Sequence, residues 1–348
     1  MKKQMVLFMS AVLIIMLAAG CTTQQQDALE PDPTGDIDHN PFKAADNEVL
    51  GSMSHGFANL GLDENGMGAS LCYEGGELTI DYVAGASGTA KNIGFLIFVD
   101  GVAQPYKFNT TEGPYEYMHL FELEEDNRET PFTFVFTPVT GKQGDILAVH
   151  IISLYNPAFI PDMKETQSYG GYHTTLEMVR PMIFNADADI ISSVPPFAYL
   201  SNISLSTEPV TSAFLDSLGS GFGPIDMEAL NKRIFSQLYM NGEDMKTTSN
   251  MQTAKDGTLH VIFKIAGHPG VRYQSTLYIN HNAMSDKDGI SFETVLEKGN
   301  VAVIEADIDL GKLEDFNTLY VISVPCNASD FPDDVITALK TESLLLYK

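Results

Sequence analysis

The 348-residue sequence contains no tryptophan and only three cysteines. Without tryptophan the chain lacks the side chain that stacks best on sugar faces, which weighs against a dedicated carbohydrate-binding module. Antibody-type domains carry a buried tryptophan packed on a disulfide, so that pattern is missing too. Besides Cys21, only Cys72 and Cys326 are available, and they fall in opposite halves of the chain. Neither half can close a disulfide of its own. One bridge between the halves stays open, but the pair has no motif spacing, so free thiols and an ordinary hydrophobic core are expected. Basic residues are also scarce, 20 against 46 acidic ones, for a net charge of −26. Such a surface repels phosphate backbones and anionic lipid headgroups, which excludes nucleic acid as a partner and electrostatic adhesion to membranes.

One long apolar run stands out, "MVLFMSAVLIIMLAAG", residues 5–20. Crossing a bilayer takes about 20 apolar residues, so this run is short for a permanent span. It follows Lys2 and Lys3, ends on small residues, and gives way at once to "TTQQQDALEPDP". A basic start, an apolar centre and a small-residue end are the parts of a secretory signal. Cys21 comes directly after Ala18, Ala19 and Gly20, and "LAAGC" resembles the lipobox of bacterial lipoproteins, with Leu17 one place earlier than usual. The resemblance covers residues 1–21 only. It implies that the Cys21 thiol carries a diacylglyceryl group and that cleavage makes Cys21 the N-terminus. Two acyl chains anchor a protein stably, each buried methylene contributing about 0.8 kcal/mol. The mature chain would hold 18 basic and 46 acidic residues, a charge of −28.

Residues 1–20 are thus read as a signal peptide and residues 21–47, rich in Gln, Asp, Pro and Thr, as a flexible tether. Beyond the tether the chain repeats itself. "TIDYVAG" (79–85) answers "VIFKIAG" (261–267), and "FLIFVD" (95–100) answers "STLYIN" (275–280). "YMHLFELEE" (117–125) pairs with "ISFETVLEK" (290–298), and "TGKQGDILAVHIIS" (140–153) with "LGKLEDFNTLYVIS" (310–323). "IPD" (160–162) and "TLEMVR" (175–180) match "FPD" (331–333) and "SLLLYK" (343–348). Such short segments, rich in aromatic and β-branched residues and separated by Gly, Pro, Asn and Asp, are strands.

The expected fold is mainly β, with two tandem β-sandwich domains of immunoglobulin-like size, spanning 48–182 and 243–348. In this the folded part resembles tandem Ig-like surface modules. The near-continuous apolar runs "FLIFVDG" and "LAVHIISLY" predict central strands covered on both faces. A connecting segment, 183–242, predicts a short helical insert of two helices, 209–218 and 226–242. In the second, Leu230, Ile234, Phe235 and Leu238 share a face, Asp226 caps the start and Asn241-Gly242 the end.

No reactive constellation emerges. "LGSGFGP" (218–224) lacks the Lys-Ser/Thr of a phosphate loop, and "GASG" (85–88) lacks the spacing of a serine elbow. "DIDH" (36–39), Asp187 with Asp189, and "SDKDG" (285–289) are acidic turns, none with calcium-loop spacing. No cofactor and no metal site is therefore expected; calcium would enter only at a domain junction, without motif support. His268 and His281 have no Cys or Glu at ligand spacing. The candidate ligand surface is formed by Tyr169, Tyr172 and His173 in "SYGGYH", with Tyr106 in "QPYKF" and Tyr115 in "GPYEY". Aromatics on glycine loops can stack on a sugar or a partner protein.

Together these features predict a lipid-anchored extracytoplasmic surface protein, attached to the membrane through its anchor, that binds a surface protein or glycan and is not an enzyme. Two other classes compete. A solute-binding lipoprotein of a transporter would need strands alternating with helices of 10 to 15 residues. A cell-surface hydrolase or glycan-binding accessory would need two carboxylates facing each other across a cleft.

Overall fold

Ten-residue strands dominate the chain, and their apolar side chains decide which way each strand faces. The computed structural model describes residues 52–348 except 65, 67, 89–91, 123–127, 160–172, 190–198, 219–224, 242, 245–249 and 286–290. Cys21, the signal, the tether, Tyr169, Tyr172 and the glycines of "LGSGFGP" lie outside the described residues.

The first half holds β1 (Ser52–Phe57), β2 (Leu71–Tyr73), β3 (Leu78–Ser87), β4 (Asn92–Val99) and β5 (Val102–Gln104). These are followed by β6 (Lys107–Phe108), β7 (Leu120–Glu122), β8 (Thr130–Phe136), β9 (Ile146–Tyr155) and β10 (Thr175–Phe184). The second half begins with β11 (Leu200–Pro209), helices α1 (Ser212–Leu218) and α2 (Met227–Leu230), and β12 (Ile234–Met240). After them come β13 (Glu243–Asp244), β14 (Asn250–Gln252), β15 (Thr258–Gly267), β16 (Arg272–Ile279) and β17 (Asn282–Ala283). The last strands are β18 (Phe292–Val295), β19 (Asn300–Asp309), β20 (Phe316–Pro325), β21 (Leu339–Lys340) and β22 (Leu344–Tyr347).

The fold is mainly β, as expected, and its two halves share a common core of strands. The edge beside β8 is filled by β6, and the equivalent edge beside β19 by β11, which enters from a different place in the chain. The first half pairs a sheet β1-β3-β8-β6 with a sheet β2-β10-β9-β4-β5, which carries β7 on β4. The second half pairs β11-β19-β15-β12-β13 with β14-β22-β20-β16-β17, which carries β18 on β16 and β21 on β20. In both, a short strand joins the sheet edge parallel to its neighbour, β2 to β10 and β14 to β22. In both, a two-residue hairpin closes the central strand: Val99 faces Val102, and Ile279 faces Asn282. Asp100 and Gly101 have φ of 49° and 76°, and Asn280 and His281 have 49° and 65°, the left-handed pair that a type I′ turn requires.

Register tests the quoted repeats that fall on paired strands; "IPD" (160–162) lies outside the described residues. The 95–100 and 117–125 segments align with 275–280 and 290–298 as read: Glu122 meets Asn92 where Val295 meets Arg272. The "TIDYVAG" alignment is one residue out. It sets Asp81 against Phe263, yet Asp81 is exposed and Phe263 buried. A one-residue slip turns every side chain to the other face, so Tyr82 is the true counterpart of Phe263. "TLEMVR" is four residues out. Arg180 lies opposite Val149 and Leu344 opposite Leu319, which makes Arg180 and Leu344 equivalent.

The helical expectation is half right. α1 forms inside 209–218, and Asp226 does cap α2, accepting a hydrogen bond from Ala229 N at 2.8 Å. The helix then stops after a single turn. Ile234–Met240 is a strand, paired along its length with β15. A lone helix of this length gains little in water, whereas the open edge of β15 offers a ready ladder of hydrogen bonds. With β11 and β12 in its outer sheet, the second sandwich takes up most of the segment read as a connection. Phe214, Ile225 and Leu230 pack on Val301, Val303 and Ala266, so the helices cover the outer face of that sheet.

Each sandwich has its own core, built differently. The first is aromatic: Tyr82, Phe95, Phe132 and Phe134 meet ring to ring at 5.0–5.7 Å. At the positions of Phe95, Phe132 and Phe134 the second has Ser275, Ile304 and Ala306, and these line a void of about 20 Å³. The Ser275 and Ser323 hydroxyls bond each other at 2.8 Å, which satisfies the polar atoms beside it.

Candidate functional site

Central strands of both halves are apolar on two faces, and the second face meets the other sandwich. Leu96, Phe98, Ile152, Leu154 and Tyr117 of the first pack on Tyr278, Tyr320, Ile322 and Val324 of the second. The seam has the pattern of a two-fold interface, in which a contact of i with j is matched by j with i. The turn at Asp100-Gly101 touches Gln274 and Cys326; its equivalent, Asn280-His281, touches Pro157. A Cβ at Gly101 would lie 2.5 Å from Gln274 Cβ, so the close approach needs a glycine. His281 stands in the same place at the other end and fills it with an imidazole.

That end gathers the polar groups. His281 Nε2 faces the Pro157 carbonyl oxygen at 3.1 Å, so it carries the proton and donates. Its Nδ1 then accepts from the Tyr320 hydroxyl at 3.1 Å. Tyr278 stacks on Tyr320 at 5.2 Å, Lys340 Nζ sits 4.9 Å over the Tyr320 ring, and the His173 ring is 5.9 Å from that of His281. Burial holds all three basic groups towards neutrality. His173 falls to about 3, helped by the charge of Lys340, and His281 to about 4. Lys340 falls to about 7, with Nζ donating to Thr341 O and Ser343 Oγ. Burial also pushes the Tyr278 hydroxyl well above its usual range. The arrangement can hold or release protons where two sheets meet.

At the opposite end His150, equivalent to Tyr320, bonds Glu177 through Nδ1 at 2.6 Å, and Glu177 accepts from Ala338 N at 3.1 Å. Cys326 is half-buried there, its thiol pushed up to about 12 by burial and by the charge of Asp100, so it is a poor nucleophile. Both Cys72 and Cys326 are free.

The residues named from sequence separate. Tyr106 belongs to no surface: it is 0% exposed, donates to Phe95 O at 2.9 Å and accepts from His119 N at 3.0 Å. Its backbone bridge to Glu116 turns the ring inward, which a tyrosine-rich loop does not reveal in sequence. His173 is buried at the seam, where the repeat brings it to His281. Tyr115 does reach the surface, but Lys107 Nζ lies 4.5 Å over its ring and its hydroxyl bonds Glu77 at 2.8 Å. Among the described residues no cluster of three His, Cys, Asp or Glu is placed to hold a metal. Lys340 and Arg180 escaped the sequence reading: Lys340 ends the two-residue strand β21, and Arg180 stands out only against its counterpart, Leu344.

No protein-family model and no curated protein matches the chain. Among solved structures it is similar to one described as BspA_C_mut, at 10% identity and a TM-score of 0.21, over 85% of this chain and 98% of that one. It is also similar to the C-terminal domain of the Streptococcus pyogenes antigen I/II-family protein AspA, at 7% identity and a TM-score of 0.20, over 87% and 100%. A third is the CsuC–CsuE chaperone–tip adhesion subunit complex of Acinetobacter baumannii Csu pili, at 9% and 0.17, over 79% and 93%. Scores this low carry no argument; the sandwich fold follows from strand order and packing. No described helix is long and apolar enough to cross a membrane.

Proposed function

We propose that this chain is a lipid-anchored extracytoplasmic protein that presents two fused sandwiches as one body for binding or assembly, without catalysis. The seam is the observation that carries this reading. Two sheets that tandem modules on a string would leave to solvent are spent on each other, so the body keeps a fixed geometry at the end of its tether. Flexible attachment and rigid presentation suit a binder that must meet a surface protein or glycan in a defined orientation. The acidic surface favours solubility and disfavours nucleic acid. Cys21 supplies the anchor through its two acyl chains.

Cell fractionation with labelled palmitate tests the anchor. The wild-type chain is expected in the membrane pellet carrying label, and Cys21→Ala is expected to lose the label. An unlabelled wild-type chain in the soluble fraction would contradict the proposal.

A further inference from the structure

Phe95, Phe132 and Phe134 fill the first core, and Phe108 of β6 stacks on Phe121 of β7 at 5.5 Å across the gap between the two sheets. The second sandwich keeps none of these rings. Register puts Ser275, Ile304 and Ala306 at the three core positions and Thr294 in place of Phe121. Phe108 lies opposite Phe134 in the first sandwich, whereas opposite Ala306 the strand β11 is bulged. Ser201 pairs with Asp307 and Ser204 with Glu305, and between them Asn202 takes a φ of 51°. Bulges recur beside functional sites, where they interrupt pairing.

What remains is the void of about 20 Å³, walled by Leu200, Leu238, Phe263, Leu277 and Phe292 besides the small residues. The Ser275 and Ser323 hydroxyls satisfy each other, so a water inside would find no partner. Such a space stays dry and suits a hydrocarbon. Its size decides how one enters. A water needs roughly 10–15 Å³, whereas an engineered apolar cavity that takes benzene holds about 150 Å³. A ring is therefore admitted only when a wall moves. Phe292 is that wall. It faces Ser275 from the edge strand β18, and it is the one lining residue that is partly exposed, the others being buried. Turning its side chain outward adds the space of a phenyl ring to the void.

We propose that the second sandwich holds a ligand site, in which an uncharged apolar ring enters the void past Phe292 and lies where the first sandwich keeps the ring of Phe134. The proposal rests on the reading of this chain as a binding protein and supplies a ligand class; the labelling outcome at Cys21 leaves it untouched.

Calorimetric titration of the full-length protein with benzene tests it, with benzoate as the control. Wild type is expected to bind benzene saturably, and benzoate at least about tenfold more weakly, because no cation lines the void to offset the loss of its hydration. Ala306→Phe, which installs the residue of the first sandwich, is expected to weaken benzene binding at least about tenfold. Ala306→Val adds only two methyl groups at the same place; it is expected to weaken binding about tenfold, and it decides the matter should the phenylalanine variant fold poorly. Phe292→Ala, which removes the wall, is expected to tighten binding about tenfold. No saturable binding by wild type, equal binding of benzoate, undiminished binding by the Ala306 variants, or a Phe292→Ala protein that binds no more tightly than wild type would overturn the proposal.

Discussion

Acidification from pH 7 to 4.5 is expected to destabilise the folded chain through histidines that burial keeps neutral. His281 and His55 titrate at about 4 and His173 at about 3 in the folded chain, against 6.5 when exposed. An unfolded chain therefore takes up protons that the folded one refuses. The stability these groups contribute is complete above pH 6.5 and declines as pH falls towards the folded values. Each is worth on the order of 3 kcal/mol over that window. Around His281 stand Lys340, His173 and the Tyr320 hydroxyl, and the charge of Lys340 opposes protonation of both histidines. Approach to the isoelectric point, about 4.4, relieves self-repulsion and acts the other way. His281→Gln separates the two effects. Urea midpoints at pH 7.5 and 4.5 are expected to differ less in the variant than in wild type; equal differences would show that His281 takes up no proton on unfolding.

Phe98→Ala is expected to cost about 3–5 kcal/mol, the range for removing a buried aromatic ring. Phe98 is 0% exposed, yet it points away from its own sandwich core and meets Tyr278 edge-on at 6.5 Å. A large loss there reads the seam itself. Ile146, 67% exposed on the neighbouring strand, is the control, and Ile146→Ala is expected to change stability by about 0.5 kcal/mol or less. Urea denaturation of the two variants makes the comparison. A Phe98→Ala penalty as small as that of the control would mean that the sheets are not held together by this face.

The duplication was legible because strand composition and order survive in both halves even where identities do not. "FLIFVDG" and "LAVHIISLY" gave away their double burial through unbroken apolarity, since a strand with one wet face alternates. What covers their second face was not legible, because either another layer or the other half satisfies the same pattern. The letters Ala-Gly misplaced one strand by a residue; only the in-and-out phase of Tyr82 and Phe263 corrects it. Leu230, Ile234, Phe235 and Leu238 fit a helix face by spacing, but Ile, Phe and Tyr in "IFSQLYM" also fit a strand. The edge of β15 decided between them. Of the site, His173 was visible as an odd residue on a glycine loop, while its meeting with His281 depends on a contact between halves. Arg180 becomes conspicuous only once Leu344 is known to be its counterpart.

Scanning calorimetry of the full-length protein addresses the fused body directly. Two sandwiches sharing a buried seam are expected to melt in a single transition, with calorimetric and van't Hoff enthalpies equal. Two separable transitions, each with the enthalpy of one sandwich, would contradict it.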